Sequence, residues 1–84
     1  MNYTVVVTKS AQKQLLALPA EVRERLSGRI EALAKVPRPP DVKKLRGREA
    51  WRIRVGDYRV IYEIHDRILR VIVINVGHRR EIYR

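Results

Sequence analysis

The chain has 84 residues, a formal net charge of +10 and no cysteine, so it has room for one domain with a modest core and cannot use disulfides, a thiolate nucleophile or a thiolate metal site. An apolar fraction of 45% argues against disorder despite 33% charged residues, while the basic excess, mostly arginine, favours anionic partners through counterion release. No apolar run approaches membrane-spanning length, and Met1-Asn2-Tyr3-Thr4 leads directly into strand-like sequence without a signal peptide, so no membrane partner and a cytoplasmic location are expected.

Tyr3 to Val7 are β-branched or aromatic and read as a strand with Tyr3, Val5 and Val7 on one face. Thr8 or Ser10 is placed to cap a helix carrying Ala11, Leu15 and Leu18 at helical spacing. Pro19 ends that helix and suits the start of a second, in which Val22, Leu26, Ile30 and Leu33 form one apolar stripe. Glu21, Glu24, Arg25 and Arg29 populate its outer face, which reads as a solvated surface. Pro37, Pro39 and Pro40 then make a stiff connector, and Lys43-Lys44-Leu45-Arg46-Gly47-Arg48 follows as a basic, irregular segment.

Three strands close the pattern, over 50–55, 58–64 and 68–76. A two-residue turn at Gly56-Asp57 sets Val55 opposite Tyr58 and Arg54 opposite Arg59. Facing residues share one side of a sheet, so two arginines there repel each other, an arrangement better suited to an anion than to stability. A second hairpin centred on Asp66-Arg67 would set Val60 opposite Val73, Tyr62 opposite Val71 and Glu63 opposite Arg70. One face would then carry Trp51, Ile53, Val55, Tyr58, Val60, Tyr62, Ile64, Leu69, Val71 and Val73 against the helices. The other would carry Arg52, Arg54 and Arg59 near one end, with Ile61, Ile72, Ile74 and Val76 across its middle. Ile61, Ile72 and Ile74 thus make a candidate exposed patch for a protein partner beside a candidate phosphate site. The expected fold is α+β: a small twisted antiparallel sheet with an N-terminal strand, an α-helical hairpin on one face and a three-stranded C-terminal meander, in the order β-α-α-β-β-β, with residues 1–84 as a single domain.

This order of elements, with Thr8 to Leu18, Lys44-Leu45-Arg46-Gly47, Trp51 to Tyr62 and the closing Val76-Gly77-His78-Arg79-Arg80-Glu81-Ile82-Tyr83, resembles the RelE toxins of the RelE/ParE superfamily of bacterial type II toxin–antitoxin systems. The resemblance covers nearly the whole chain. It implies a ribosome-dependent endoribonuclease, an mRNA interferase that enters the ribosomal A site and cuts mRNA through the RNA's own 2′-hydroxyl, with no metal or other cofactor. It further implies a cognate antitoxin, bound in a hetero-oligomer. By the same resemblance Arg59, Arg79 and Tyr83 take the catalytic positions, and Arg52 and Arg54 stand where some members have lysines. Lys44, Arg46 and Arg80 complete the expected RNA-phosphate contacts.

The chemistry of these residues agrees. Attack at phosphorus builds charge on the nonbridging oxygens, which guanidinium groups stabilise, and a tyrosine ring stacks an unpaired base. Arginine does not readily surrender a proton, so the substitution of Arg52 and Arg54 for lysine leaves the proton-transfer group open, with His78 as the candidate acid–base residue. Ending at Arg84, the sequence is expected to lack the C-terminal helix of some relatives. Two competing readings are a ParE-like, non-enzymatic poison of DNA gyrase on the same fold and a basic nucleic-acid-binding module without catalysis.

Overall fold

The computed structural model describes residues 2–78. In chain order these form β1 (Thr4–Val7), α1 (Lys9–Leu16), α2 (Ala20–Ala32), β2 (Lys43–Lys44), β3 (Trp51–Val55), β4 (Tyr58–His65) and β5 (Arg70–His78). The strands make one sheet in the order β1-β5-β4-β3-β2. The expected α+β fold is present, with two refinements. The sheet is antiparallel except at its β1 edge, where β1 runs parallel to β5 from Thr4↔Arg70 to Val7↔Val73. In the segment expected to be irregular, Lys43 and Lys44 instead pair with Arg52 and Trp51 as a two-residue edge strand.

Local chemistry sets the helical hairpin. The Thr8 hydroxyl accepts from the Ala11 N–H at 3.2 Å and caps α1, while Pro19 takes the N-cap of α2. Leu26, Ile30 and Leu33 turn the α2 stripe into the sheet, where they are buried with Ala11, Ile53, Val60, Tyr62, Val71, Val73 and Val76. The proline connector is tied down from the sheet. Burial pushes the Tyr62 phenol well above its usual pKa, and its hydroxyl donates to the Pro37 carbonyl at 2.7 Å. Arg38 lies 5.0 Å from the centre of the Trp51 ring and pairs with Asp66 at 3.0 Å, joining connector, sheet and the β4–β5 turn.

The first hairpin has the register its turn dictates. Gly56, at φ +60°, takes the left-handed turn conformation, and Arg54↔Arg59 and Val55↔Tyr58 pair as expected. The second hairpin corrects the sequence reading. Its turn is a short 3-10 segment, Asp66–Ile68, closed by Leu69 at φ 50°, and His65 lies at the end of β4, paired with Arg70. Tyr62 therefore faces Val73, and Glu63 faces Ile72 rather than Arg70. The Glu63 carboxylate instead meets His65 Nε2 at 2.9 Å.

A second irregularity follows at once. Tyr62↔Val73 is succeeded by Ile61↔Asn75, so Ile74 is an extra residue on β5, a β-bulge. One extra residue reverses the inside–outside alternation beyond it. Val76, expected on the outer face, is consequently 1% exposed in the core. The bulge coincides with the end of β1. There the Thr8 N–H donates to the Val73 carbonyl at 3.0 Å, and the Val76 N–H is bound by Gln14 Oε1 of α1 at 2.7 Å.

Candidate nucleic-acid interface

The face of the sheet away from the helices is built from ladder rows. One runs Lys43–Arg52–Ile61–Asn75 and the next Arg54–Arg59–Gly77, across β2, β3, β4 and β5. Two like-charge pairs, Lys43/Arg52 and Arg54/Arg59, therefore stand side by side on adjacent strands. Like charges facing each other do not favour a sheet, and guanidinium and ammonium groups gathered this way suit an anion. The cations differ in depth. Arg59 is 2% exposed, Arg52 half-buried, and Arg54 and Lys43 exposed. Gly77, directly opposite Arg59 on β5, brings no side chain to that position of the ladder.

A groove of about 320 Å³ opens on this face, lined by Asp41, Lys43, Arg52 and Arg54. Asp41 is the one acidic residue among the described residues of its lining, and it is held by α2: Arg29 Nη2 donates to both Asp41 carboxylate oxygens at 2.9 Å. That guanidinium keeps the Asp41 carboxyl below the usual carboxylate range. Arg29 Nη1 also reaches the Arg54 carbonyl at 3.5 Å. The α2 residue that the sequence placed on a solvated face therefore fastens the connector to the end of β3.

The structure brings together Arg52, Arg54 and Arg59 of the sequence-predicted site and adds Lys43, which sequence reasoning missed. Its signal is parity: once Lys44 pairs with Trp51, Lys43 pairs with Arg52 and shares the arginine face. Lys44 is corrected by the same argument. It lies on the opposite face, 5.9 Å from the Trp51 ring centre and 3.1 Å from Glu49. Arg46 is exposed in the loop between β2 and β3 and does not line the groove.

His78 lies on the other face from the arginines. The bulge at Ile74 turns it to the face of Tyr58, its ladder partner, where the two rings meet edge-on with centres 5.5 Å apart. Without that extra residue His78 would share the side of Arg59. The isoleucine patch is corrected in part, because Ile61 is buried at 8% exposure whereas Ile72 and Ile74 are half-buried. Arg79, Arg80 and Tyr83 lie outside the described residues. Among the described residues no three His, Cys, Asp or Glu side chains gather where they could hold a metal ion, and no helix is long and apolar enough to cross a membrane.

Residues 5–83 match the family described as the ParE toxin of type II toxin–antitoxin systems, parDE. Toxin RelG of Mycobacterium tuberculosis is 36% identical over 89 aligned positions, covering 100% of this chain and 99% of RelG. The archaeal RelE–RelB complex from Pyrococcus horikoshii contains a chain that superposes with a TM-score of 0.83 at 32% identity, over 94% of this chain and 97% of that one. The isolated Escherichia coli RelE toxin gives 0.79 at 31% identity, over 96% and 90% respectively. With a family match over nearly its whole length and relatives that share both its sequence and its sheet, the chain belongs to the ParE toxin family of type II toxin–antitoxin systems, within the RelE/ParE superfamily.

Proposed function

We propose that this toxin is a ribosome-dependent endoribonuclease that cuts mRNA in the A site by attack of the 2′-hydroxyl on the adjacent phosphorus. The observation that carries the reading is the row Arg54–Arg59–Gly77, a buried guanidinium beside an exposed one on the face away from the helices. A guanidinium withdrawn from water interacts strongly with developing negative charge, because little solvent competes for it. Arg54 and Arg52 make the approach.

In this reading the 2′-hydroxyl gives up its proton as the O2′–P bond forms, and O5′ takes one up as the P–O5′ bond breaks, leaving a 2′,3′-cyclic phosphate and a 5′-hydroxyl. Arg59 and Arg79 stabilise the nonbridging oxygens, Tyr83 stacks a base, and Arg80 contacts the backbone. His78 packs edge-on against Tyr58, on the side of the sheet opposite Arg59. RelE forms a complex with RelB in Pyrococcus horikoshii, and in this reading a cognate antitoxin binds the present toxin in the cytoplasm, with apolar side chains over Ile72 and Ile74.

The test is primer extension on translated mRNA. Cuts within codons that require ribosomes are expected, and Arg59→Ala is expected to abolish them and relieve growth arrest while the fold persists. The second reading, a gyrase poison, is favoured by the ParE description of the matching family. Gyrase-linked DNA breaks without mRNA cuts would replace the nuclease with that reading.

A further inference from the structure

We propose that the groove lined by Asp41, Lys43, Arg52 and Arg54 is a phosphate subsite for the RNA backbone, contacted by Lys43, and that Arg29 is its positioning residue, holding Asp41 so that the groove stays cationic. For its ligand, an RNA strand, this rests on the nuclease reading. It goes beyond that reading by assigning roles to three residues outside the arginine row.

Three observations carry it. Lys43 and Arg52 face each other across the β2–β3 ladder, which sets two cations on one side of the sheet beside the groove. The groove is wide enough, at about 320 Å³, to admit a phosphate with its sugar attached. Asp41, the one carboxylate among the described lining residues, is neutralised by a guanidinium from α2: both Asp41 oxygens accept from Arg29 Nη2 at 2.9 Å. An unneutralised carboxylate among three cations would cancel part of their field and repel the phosphate they attract. Arg29 removes that opposition at a distance from the ligand.

Binding of a short 2′-O-methylated oligoribonucleotide, which has no attacking hydroxyl, tests the assignment on the full chain by fluorescence anisotropy over a salt series. Lys43→Ala is expected to weaken binding about three- to tenfold at low salt and to reduce the log–log salt slope by about 0.7, the loss of one phosphate contact on a single strand. Arg29→Ala is expected to weaken binding about threefold in the native background and much less in the Asp41→Asn background. Arg25→Ala, an α2 arginine that carries the same charge and lies in a different surface pocket, controls for net charge and is expected to change little. The Arg29–Asp41 pair is on the surface, and Lys43→Ala leaves it intact, so a folding defect in one variant does not silence the other.

The proposal is overturned if Lys43→Ala leaves affinity and salt slope unchanged. It is equally overturned if Arg29→Ala acts identically with and without the Asp41 carboxylate, if Arg25→Ala matches it, or if DNA of the same sequence binds more tightly than RNA. Cleavage is not read in this assay. A chain that binds RNA through the groove but never cuts mRNA loses the nuclease reading and keeps the subsite, and a chain that cuts with these variants inert does the reverse.

Discussion

The β3–β4 hairpin turns on two residues, Gly56 and Asp57, and keeps one register from Trp51↔Tyr62 to Val55↔Tyr58. The β4–β5 hairpin turns on a 3-10 segment with Leu69 in the left-handed region, and its register shifts again at Ile74. The two share β4, so the difference lies in their other strands. In the first, turn chemistry fixes the pairing and every later residue follows by alternation. In the second, one extra residue overrides alternation, moves Val76 inward and turns His78 away from the arginines. The arginine row is thus set by a turn, whereas the groups around it are set by a bulge.

Deleting Ile74 is the strongest way to break this contrast. Restored alternation would turn Val76 outward and His78 toward the Arg59 face, at a cost of about 3 kcal/mol or more from lost valine burial and pairing. Urea unfolding should register it as a large fall in midpoint; an unchanged midpoint would mean that the shift is not structural. Tyr62→Phe comes next. It leaves the Pro37 carbonyl without its 2.7 Å donor, and a loss of about 1–2 kcal/mol is expected by chemical denaturation.

Gly56→Ala probes the well-behaved hairpin. With φ +60° and no heavy atom within 4 Å of an added Cβ, the cost is conformational alone, about 1 kcal/mol, and thermal melting should show a drop of a few degrees. A loss several times greater would show that the turn has less freedom than its surroundings allow.

The smallest effect is an acid limb. Asp41, chiefly through Arg29, and Asp66, chiefly through Arg38, have carboxyls held below the ordinary value of 3.8. Their folded-state pKa values are depressed, so their contribution is present above about pH 4 and fades as pH falls through the lowered values. Because both pairs are half-exposed, the effect is modest. Asp41→Asn with Asp66→Asn should flatten stability measured below pH 4, and an unchanged acid limb would assign it to other carboxylates.

Much of the fold was legible because its signals are local. The α2 stripe of Leu26, Ile30 and Leu33, the Thr8 cap and the Gly56-Asp57 turn each specify structure within a few residues, and each appears as read. What was not legible depends on non-local pairing. Nothing in Arg70-Val71-Ile72-Val73-Ile74-Asn75-Val76 marks Ile74 as the extra residue, since a continuous apolar run fits either phase. The opposite-charge match of Glu63 with Arg70 was a plausible guide to register that a longer turn outweighed. Lys43 was missed because two lysines after a proline connector carry no strand propensity of their own. They become a strand by lying beside β3.

Gln14 has a consequence that reaches beyond this molecule's interior. Once β1 ends, β5 continues as a border of the sheet, and borders with unsatisfied N–H groups recruit strands from other molecules. The side-chain amide of Gln14 takes the Val76 N–H that such a strand would need. A helix thereby occupies one of the donors that an incoming strand would use, without adding a strand of its own.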